Sequence, residues 1–516
     1  MKANVTGRHG EALLSKFVIC VSNNNPESLI GGRVYRTLPD EDAAKHDLKC
    51  ILGVKEMLAK QLGLFEEFEK TGICPELQAS SVGAEQAPYL HVAGDIPLDL
   101  PSGALLSIAR KQPLSIYLLG FQPAKTIPEI PRWFLQAYAS LPSTVLDPFS
   151  GSGTTIIEAL RFGASVYWLD YHPLSRLICR VKTTTFSALE VLEESSDILR
   201  KSSRQKHAPE TVHFANKDFW FQEPVQEGLE ILREHILRSR AAVQPVLWLA
   251  LASTVRKTSN MNEGMLLAAR RPHIEKIPKR SRDDVFRYFK MYLDKAVAAI
   301  AEWQSCVSDA PDRATELPLQ DARTLEGDWT CDAVVTSPPY INAIDYVWAS
   351  KFELHWLGLV NSDEDRLNLY LREIGTERIP RSEYRELGQT GHEELDQLIE
   401  DIYRARRYRA SGEQNQLRAR VVYKYFTDMR KHFVSAYSKL KPGGFYCFSV
   451  GDVSRICGVE VPVASILSEL AYEVGFLEKF RFHLLLKNRK LNVPRNVNWA
   501  GTIKHDTIVV LEKPAK

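Results

Sequence analysis

Apolar residues return every three to four positions through DEDAAKHDLKCILGVKEMLAKQLGLFEEFE (40–69), behind an aspartate suited to open a helix, so the spacing predicts an amphipathic helix there. A proline-rich stretch, PLSIYLLGFQPAKTIPEIP (113–131), separates it from the helical pattern RWFLQAYASL. The pattern then changes. In TVLDPFSGSGTT, β-branched and apolar residues run into a glycine-rich turn; IIEALRFG follows with helical spacing and a closing Gly163, and ASVYWLDYHP is a second apolar run. Strand, glycine loop, helix and strand in that order predict a βαβ unit of a parallel sheet. From about 187 to 312 the spacing is mostly helical, with a break at TSNMNEGMLLAARRPHIEKIPKRSRDD. Strand patterns resume in ATELPLQDAR and CDAVVTSPPY, and after an arginine-rich stretch (about 345–418) the residues 421–440 predict a helix. GGFYCFSVGDV, the helix VPVASILSELAYEVG, and the strands LEKFRFHLLLK and HDTIVVLEK close the chain. Together these runs predict seven strands of one α/β sheet, interrupted by two long insertions.

Composition narrows the setting without choosing a chemistry. The chain has 516 residues, 44% of them hydrophobic and 25% charged, which suits a soluble globular protein with a large core. The absence of a membrane-length apolar run and of a signal-peptide layout leads us to expect a cytoplasmic protein. Eight cysteines lie scattered without a CxxC pair, so a zinc site is not expected and the thiols should be reduced. Net charge is only +2, but basic islands stand out at 270–282, 404–409 and 485–495. Most such runs are solvated surface; if the chemistry elsewhere involves a polyanion, Arg270, Arg271, Lys279, Arg280, Arg404, Arg406, Arg407 and Arg409 are the candidates to grip phosphates.

Two motifs carry the candidate chemistry. In DPFSGSGTT, Gly151 and Gly153 permit a tight turn and close backbone approach to a ligand, with the free N–H groups of the next helix behind them. Neither GK[ST] nor GxGxxG is present, so the loop suits a ligand without a phosphate at that point; a plain glycine turn is the other reading. Asp170, at the end of the second strand, could take both ribose hydroxyls of a nucleoside, and Asp321 in LQDAR could accept from an adenine amine; a helix cap or surface acid is the bland alternative for each. The second motif is the strand CDAVVT running into Ser337, Pro338, Pro339 and Tyr340. Two prolines stiffen the turn and supply no N–H, leaving carbonyls to accept from an exocyclic amine on a base. Held by Ser337 and the Pro338 carbonyl, such an amine would expose its lone pair, while Tyr340 would stack on the ring.

DPFSGSGTT and TSPPY together resemble the S-adenosylmethionine-binding and catalytic motifs of DNA amino-methyltransferases, which modify cytosine N4 or adenine N6. GFQPAKTIPEIPRWF (120–134) resembles the segment that precedes the first strand in that family. The resemblance covers about half of the chain, roughly 115–185 and 312–510. It implies a Rossmann-like seven-stranded methyltransferase sheet with helices on both faces, plus helical insertions. It also implies an organisation: an N-terminal extension of unknown role (1–115), the cofactor half of the core (116–186), a mostly helical insertion (187–312), core with the catalytic turn (313–344), a basic insertion (345–418) and the C-terminal core (419–516). Asp147, Pro148, Phe149, Gly151, Ser152, Gly153 and Thr154 would line the cofactor pocket, with Asp170 on the ribose, Asp321 on the adenine, and Phe121 and Lys125 near the methionine portion. No metal is implied.

Serine ahead of PPY is typical of the cytosine-N4 members, whereas aspartate or asparagine is typical of adenine-N6 members. The glycine loop precedes SPPY here, as in permuted groups of the family. A base in duplex DNA must be flipped out to reach such a turn, and either insertion could read the DNA. Adenine-N6 transfer, a tRNA guanine-N2 methyltransferase, and a non-catalytic DNA-binding relative are the alternatives. Without a nuclease or helicase signature in the sequence, a restriction or defence partner in a prokaryotic cell would be a separate chain.

Overall fold

The computed structural model describes residues 29–30, 33–34, 88–109, 113–262, 265, 267, 277–307, 309–318, 321–341, 344–405, 414–486 and 503–515. The chain divides into two units, Met1–Ala84 and Glu85–Lys516. In the first, the described residues form a short antiparallel ribbon, Leu29–Ile30 with Arg33–Val34; the helix expected at 40–69 lies outside the described residues.

The second unit is built on one sheet. Its strands are β1 (Tyr89–Ala93), β2 (Leu105–Ala109), β3 (Thr144–Asp147), β4 (Ser165–Trp168), β5 (Ala314–Glu316), β6 (Cys331–Thr336), β7 (Leu440–Gly451), β8 (Leu477–Leu485) and β9 (His505–Glu512). They lie in the order β1-β2-β8-β9-β7-β6-β3-β4-β5, with β9 antiparallel to both neighbours and all other pairs parallel. All seven expected strands are present, and the sheet is nine strands wide. β1 and β2 fall inside the stretch 1–115 assigned from sequence to an extension, because YLHVA and LLSIA are five-residue runs without flanking motifs.

Side-chain alternation shows why both faces are covered. Val145, Ala333, Val335, Cys447, Ile508 and Val510 enter one core, whereas their neighbours Leu146, Val334, Tyr446, Phe448, Val509 and Leu511 enter another. On the first face pack α1 (Glu129–Tyr138), α2 (Thr154–Phe162), α3 (Pro173–Thr183), α4 (Ala188–Arg204), α5 (Glu223–Leu237), α6 (Gln244–Thr258) and α7 (Arg282–Cys306). The insertion 187–312 is therefore continuous with that core. Further on come α8 (Asp363–Arg372) and α9 (Glu393–Arg404), so the arginine-rich insertion is helical too. α9 joins α10 (Gln414–Lys439) and α11 (Val463–Val474) on the second face.

Connections diverge at β3. The chain leaves it through α2 to β4 on one side, while β6 lies on the other, so the C-terminal ends of β3 and β6 flank a switch point where α/β sheets open a crevice.

Candidate active site

The loop after β3 is held in a shape that needs its glycines. Gly151 and Gly153 have φ of 49° and 75°, left-handed backbone that other residues adopt at a cost. A Cβ on Gly153 would also come within 3.3 Å of Cys179 Sγ. Ser150 Oγ donates to the carbonyls of Asp147 (3.0 Å) and Leu169 (2.8 Å), tying the turn to both flanking strands. From α3, Lys182 reaches the same loop: its buried ammonium donates to the Ser152 carbonyl at 2.7 Å, and burial pulls its pKa down to about 7. Lys182 sits in a helical stretch with no local motif to announce it.

Asp147 and Asp170 end adjacent strands and are both buried. Asp170 accepts from the Gly151 N–H (2.7 Å) and the His172 N–H (2.8 Å). Burial raises its pKa to about 6; burial, with Asp170 nearby, raises that of Asp147 to about 7. The catalytic-turn candidate meets Asp147 directly. Thr336, the last residue of β6, donates to Asp147 Oδ1 at 2.8 Å. DPFSGSGTT and TSPPY, separated by nearly two hundred positions in the chain, are thereby fastened together at the switch point.

Between them opens a cleft at the switch point. Asp147 through Ser152 and Thr154 line one wall, Asp170 and His172 the next, and Lys125, Ser337 and Pro339 the third. His172 Nε2 shares a hydrogen bond with Ser350 Oγ at 2.8 Å, and burial drops its pKa to about 3, so the ring is neutral. Lys125 is lowered to about 8 by burial and donates to the carbonyls of Gly120 (2.8 Å) and Tyr117 (3.2 Å). The arginine-rich insertion also contributes, through Tyr346, Arg372 and Ile374. Those three carried no signal in the sequence, since their role depends on the insertion folding back over the sheet.

Pro338 is buried beneath the turn. Ser337 Oγ donates to the Ser449 carbonyl at 3.2 Å. Tyr340 lines a smaller adjoining cleft of about 230 Å³ with Ser337, Lys125 and Asp506, and its hydroxyl donates to Asp506 Oδ1 at 2.7 Å.

Several expected site residues lie elsewhere. Asp321 does not line the cleft: Arg323, two residues on, takes both carboxylate oxygens at 2.9 and 2.7 Å and also pairs with Asp428 at 3.0 Å. Burial pushes that carboxyl up, but Arg323 and its N–H outweigh it and hold the pKa below the usual range. Ala322 lines the cleft in its place. Phe121 faces a separate groove, where the Arg256 guanidinium lies 3.3 Å from its ring centre. Gly153 starts α2 behind the cleft wall. Arg280, expected to meet phosphate, is buried and donates to the last carbonyls of α6, Thr258 and Ser259, both at 3.0 Å; a guanidinium serves that helix end better than solvent would. Lys279 and Arg404 are exposed, Arg404 pairing with Glu400. Arg270, Arg271, Arg406, Arg407 and Arg409 lie outside the described residues.

No family model matches the chain. Among curated proteins it is 24% identical to Type II methyltransferase M.MvaI of Kocuria varians, over 76% of this chain and 89% of that one. Against Type II methyltransferase M.BsoBI of Geobacillus stearothermophilus the identity is 26%, over 72% and 80%. Type II methyltransferase M.AvaI of Anabaena variabilis is 24% identical over 70% and 82%. These relatives support the resemblance to DNA methyltransferases carried by the two motifs. Among solved structures, TrmN from Thermus thermophilus aligns with a TM-score of 0.27 and 11% identity, over 77% of this chain and 51% of that one; so low a score bears on neither fold nor function.

Proposed function

We propose that this chain, a relative of Type II methyltransferases, is an S-adenosylmethionine-dependent DNA methyltransferase acting on the exocyclic amine of a flipped base, cytosine N4. The observation that carries the reading is the Thr336–Asp147 hydrogen bond, which brings the glycine loop and the SPPY turn to walls of one cleft.

The residues of the cleft fit that cofactor. Two buried carboxyls with raised pKa values suit a ligand that brings both positive charge and ribose hydroxyls, Asp170 taking the ribose and Asp147 the cationic end. Bound there, the cofactor supplies a methyl group on a sulfonium, already activated for attack. The protein's work is then positioning and exclusion of water. Ser337 spends its one proton on the Ser449 carbonyl, so its oxygen faces the amine as an acceptor. With the Pro338 carbonyl it would turn the amine's lone pair out of the ring plane. Tyr340, held through its hydroxyl by Asp506, would stack on the base. Outside the cleft, Lys279 and Arg404 are exposed cations available to DNA phosphates.

Incubation with radiolabelled S-adenosylmethionine and duplex DNA, followed by mass spectrometry of the nucleosides, tests this. N4-methylcytosine is expected. N6-methyladenine would overturn the choice of base, and no label in DNA the reading itself. The double variant Ser337→Ala, Tyr340→Ala should lose methylation and keep cofactor binding; loss of that binding would mean the catalytic turn is misplaced.

A further inference from the structure

Near the strand ends in the middle of the sheet, three side chains converge: Asp452 just past β7, His483 on β8 and His505 at the start of β9. One ligand-type atom from each lies within 4.8 Å of the others. The register explains the meeting. His483 stands opposite Thr507 across the β8–β9 pair, and His505 precedes Thr507 by two, so all three share one face of the sheet. Asp506, between them, points to the other face, where it takes the Tyr340 hydroxyl. We propose that Asp452, His483 and His505 bind one divalent transition-metal ion, which ties the ends of three strands beside the residue that holds Tyr340.

The hydrogen bonds around the cluster decide which atoms are offered. Thr507, fully buried, gives its single hydroxyl proton to Asp452 Oδ1 at 2.8 Å, because a carboxylate has none to give back. The same hydroxyl lies 2.8 Å from His483 Nδ1, and with its proton committed it can only accept there. His483 is therefore the Nδ1–H tautomer, and its lone pair is on Nε2. A hydroxyl that fixes both a ligand's tautomer and a carboxylate's orientation is the outer arrangement that metal-binding histidines and carboxylates use.

That leaves Asp452 Oδ2, and it lies 3.3 Å from His505 Nδ1. Two ligand atoms on a tetrahedral ion at about 2.1 Å stand about 3.4 Å apart, so the approach matches a shared metal. His505 Nδ1 is buried and faces that carboxylate. Two imidazoles and a carboxylate suit zinc, iron or manganese, and three protein ligands leave a fourth position for water.

Full-length protein stripped with chelator and titrated with Zn²⁺ alone should bind one equivalent and melt at a higher temperature. Thr507→Val, which removes no ligand, should weaken binding 10- to 100-fold. The triple variant Asp452→Asn, His483→Gln, His505→Gln should lose the equivalent altogether. Failure of wild type to bind a saturable equivalent would overturn the proposal, and so would undiminished binding in the triple variant. If that variant does not fold, Co²⁺ substituted into wild type decides. A visible spectrum without thiolate charge-transfer bands is expected from nitrogen and oxygen ligands, whereas such bands would put the ion on cysteine and refute the site.

Discussion

Replacing Asp147 by asparagine removes a charge from the wall of the cleft while keeping the side chain's shape and its acceptor for Thr336. Asp147 is 2% exposed, and its pKa rises from 3.8 to about 7. Moved that far, an ionised carboxylate costs the folded protein about 4 kcal/mol, an upper figure. The sign follows from linkage. The folded state holds this proton more tightly than the unfolded chain, so the benefit is complete below pH 4 and is lost as pH climbs towards 7. Asp170, raised to about 6, adds a similar but smaller loss in both proteins, which is why the difference between them is informative. Melting curves without cofactor should show wild type and Asp147→Asn equal near pH 4, and the variant more stable by about 1–4 kcal/mol at pH 8. With S-adenosylmethionine the order should reverse, because the carboxylate that destabilises the free protein faces a cation. Titration should find the variant's dissociation constant raised at least about tenfold, a difference of about 1.4 kcal/mol. Parallel pH profiles, or a variant less stable at pH 8 without ligand, would refute the reasoning.

Arg256→Ala should lower stability by about 3–5 kcal/mol, since Glu353, 1% exposed, loses its 3.0 Å partner and stays buried. A fall in melting temperature too small to detect would show that solvent reaches that carboxylate. Asp321→Asn should leave the cofactor dissociation constant within about twofold while lowering stability through Arg323, which loses one of its two ion-pair partners. A tenfold weaker cofactor would return Asp321 to the site. Lys279→Glu with Arg404→Glu should weaken DNA binding and flatten its dependence on salt, read by fluorescence anisotropy; an unchanged slope places both away from the duplex.

The elements that could be read in the chain were those with a local cause. TVLD running into Gly151 and Gly153, the helix closed by Gly163, and CDAVVT ending in two prolines each announce themselves within ten residues, because backbone freedom and hydrophobic alternation act at that range. The same short range made DPFSGSGTT and SPPY recognisable as a pair. Tertiary structure decided what depended on distant partners. It added β1 and β2 to the sheet by pairing them through β8. It turned Asp321 away from the cleft by giving it Arg323, and buried Arg280 at the end of α6, because a charged side chain goes to whichever partner packing brings nearest. It drew Tyr346 and Arg372 to the cleft, and Lys182 to the glycine loop behind it, from segments without motifs. A residue's type and its immediate neighbours set what it is able to do; which groups surround it once the chain has collapsed sets whether it does so here.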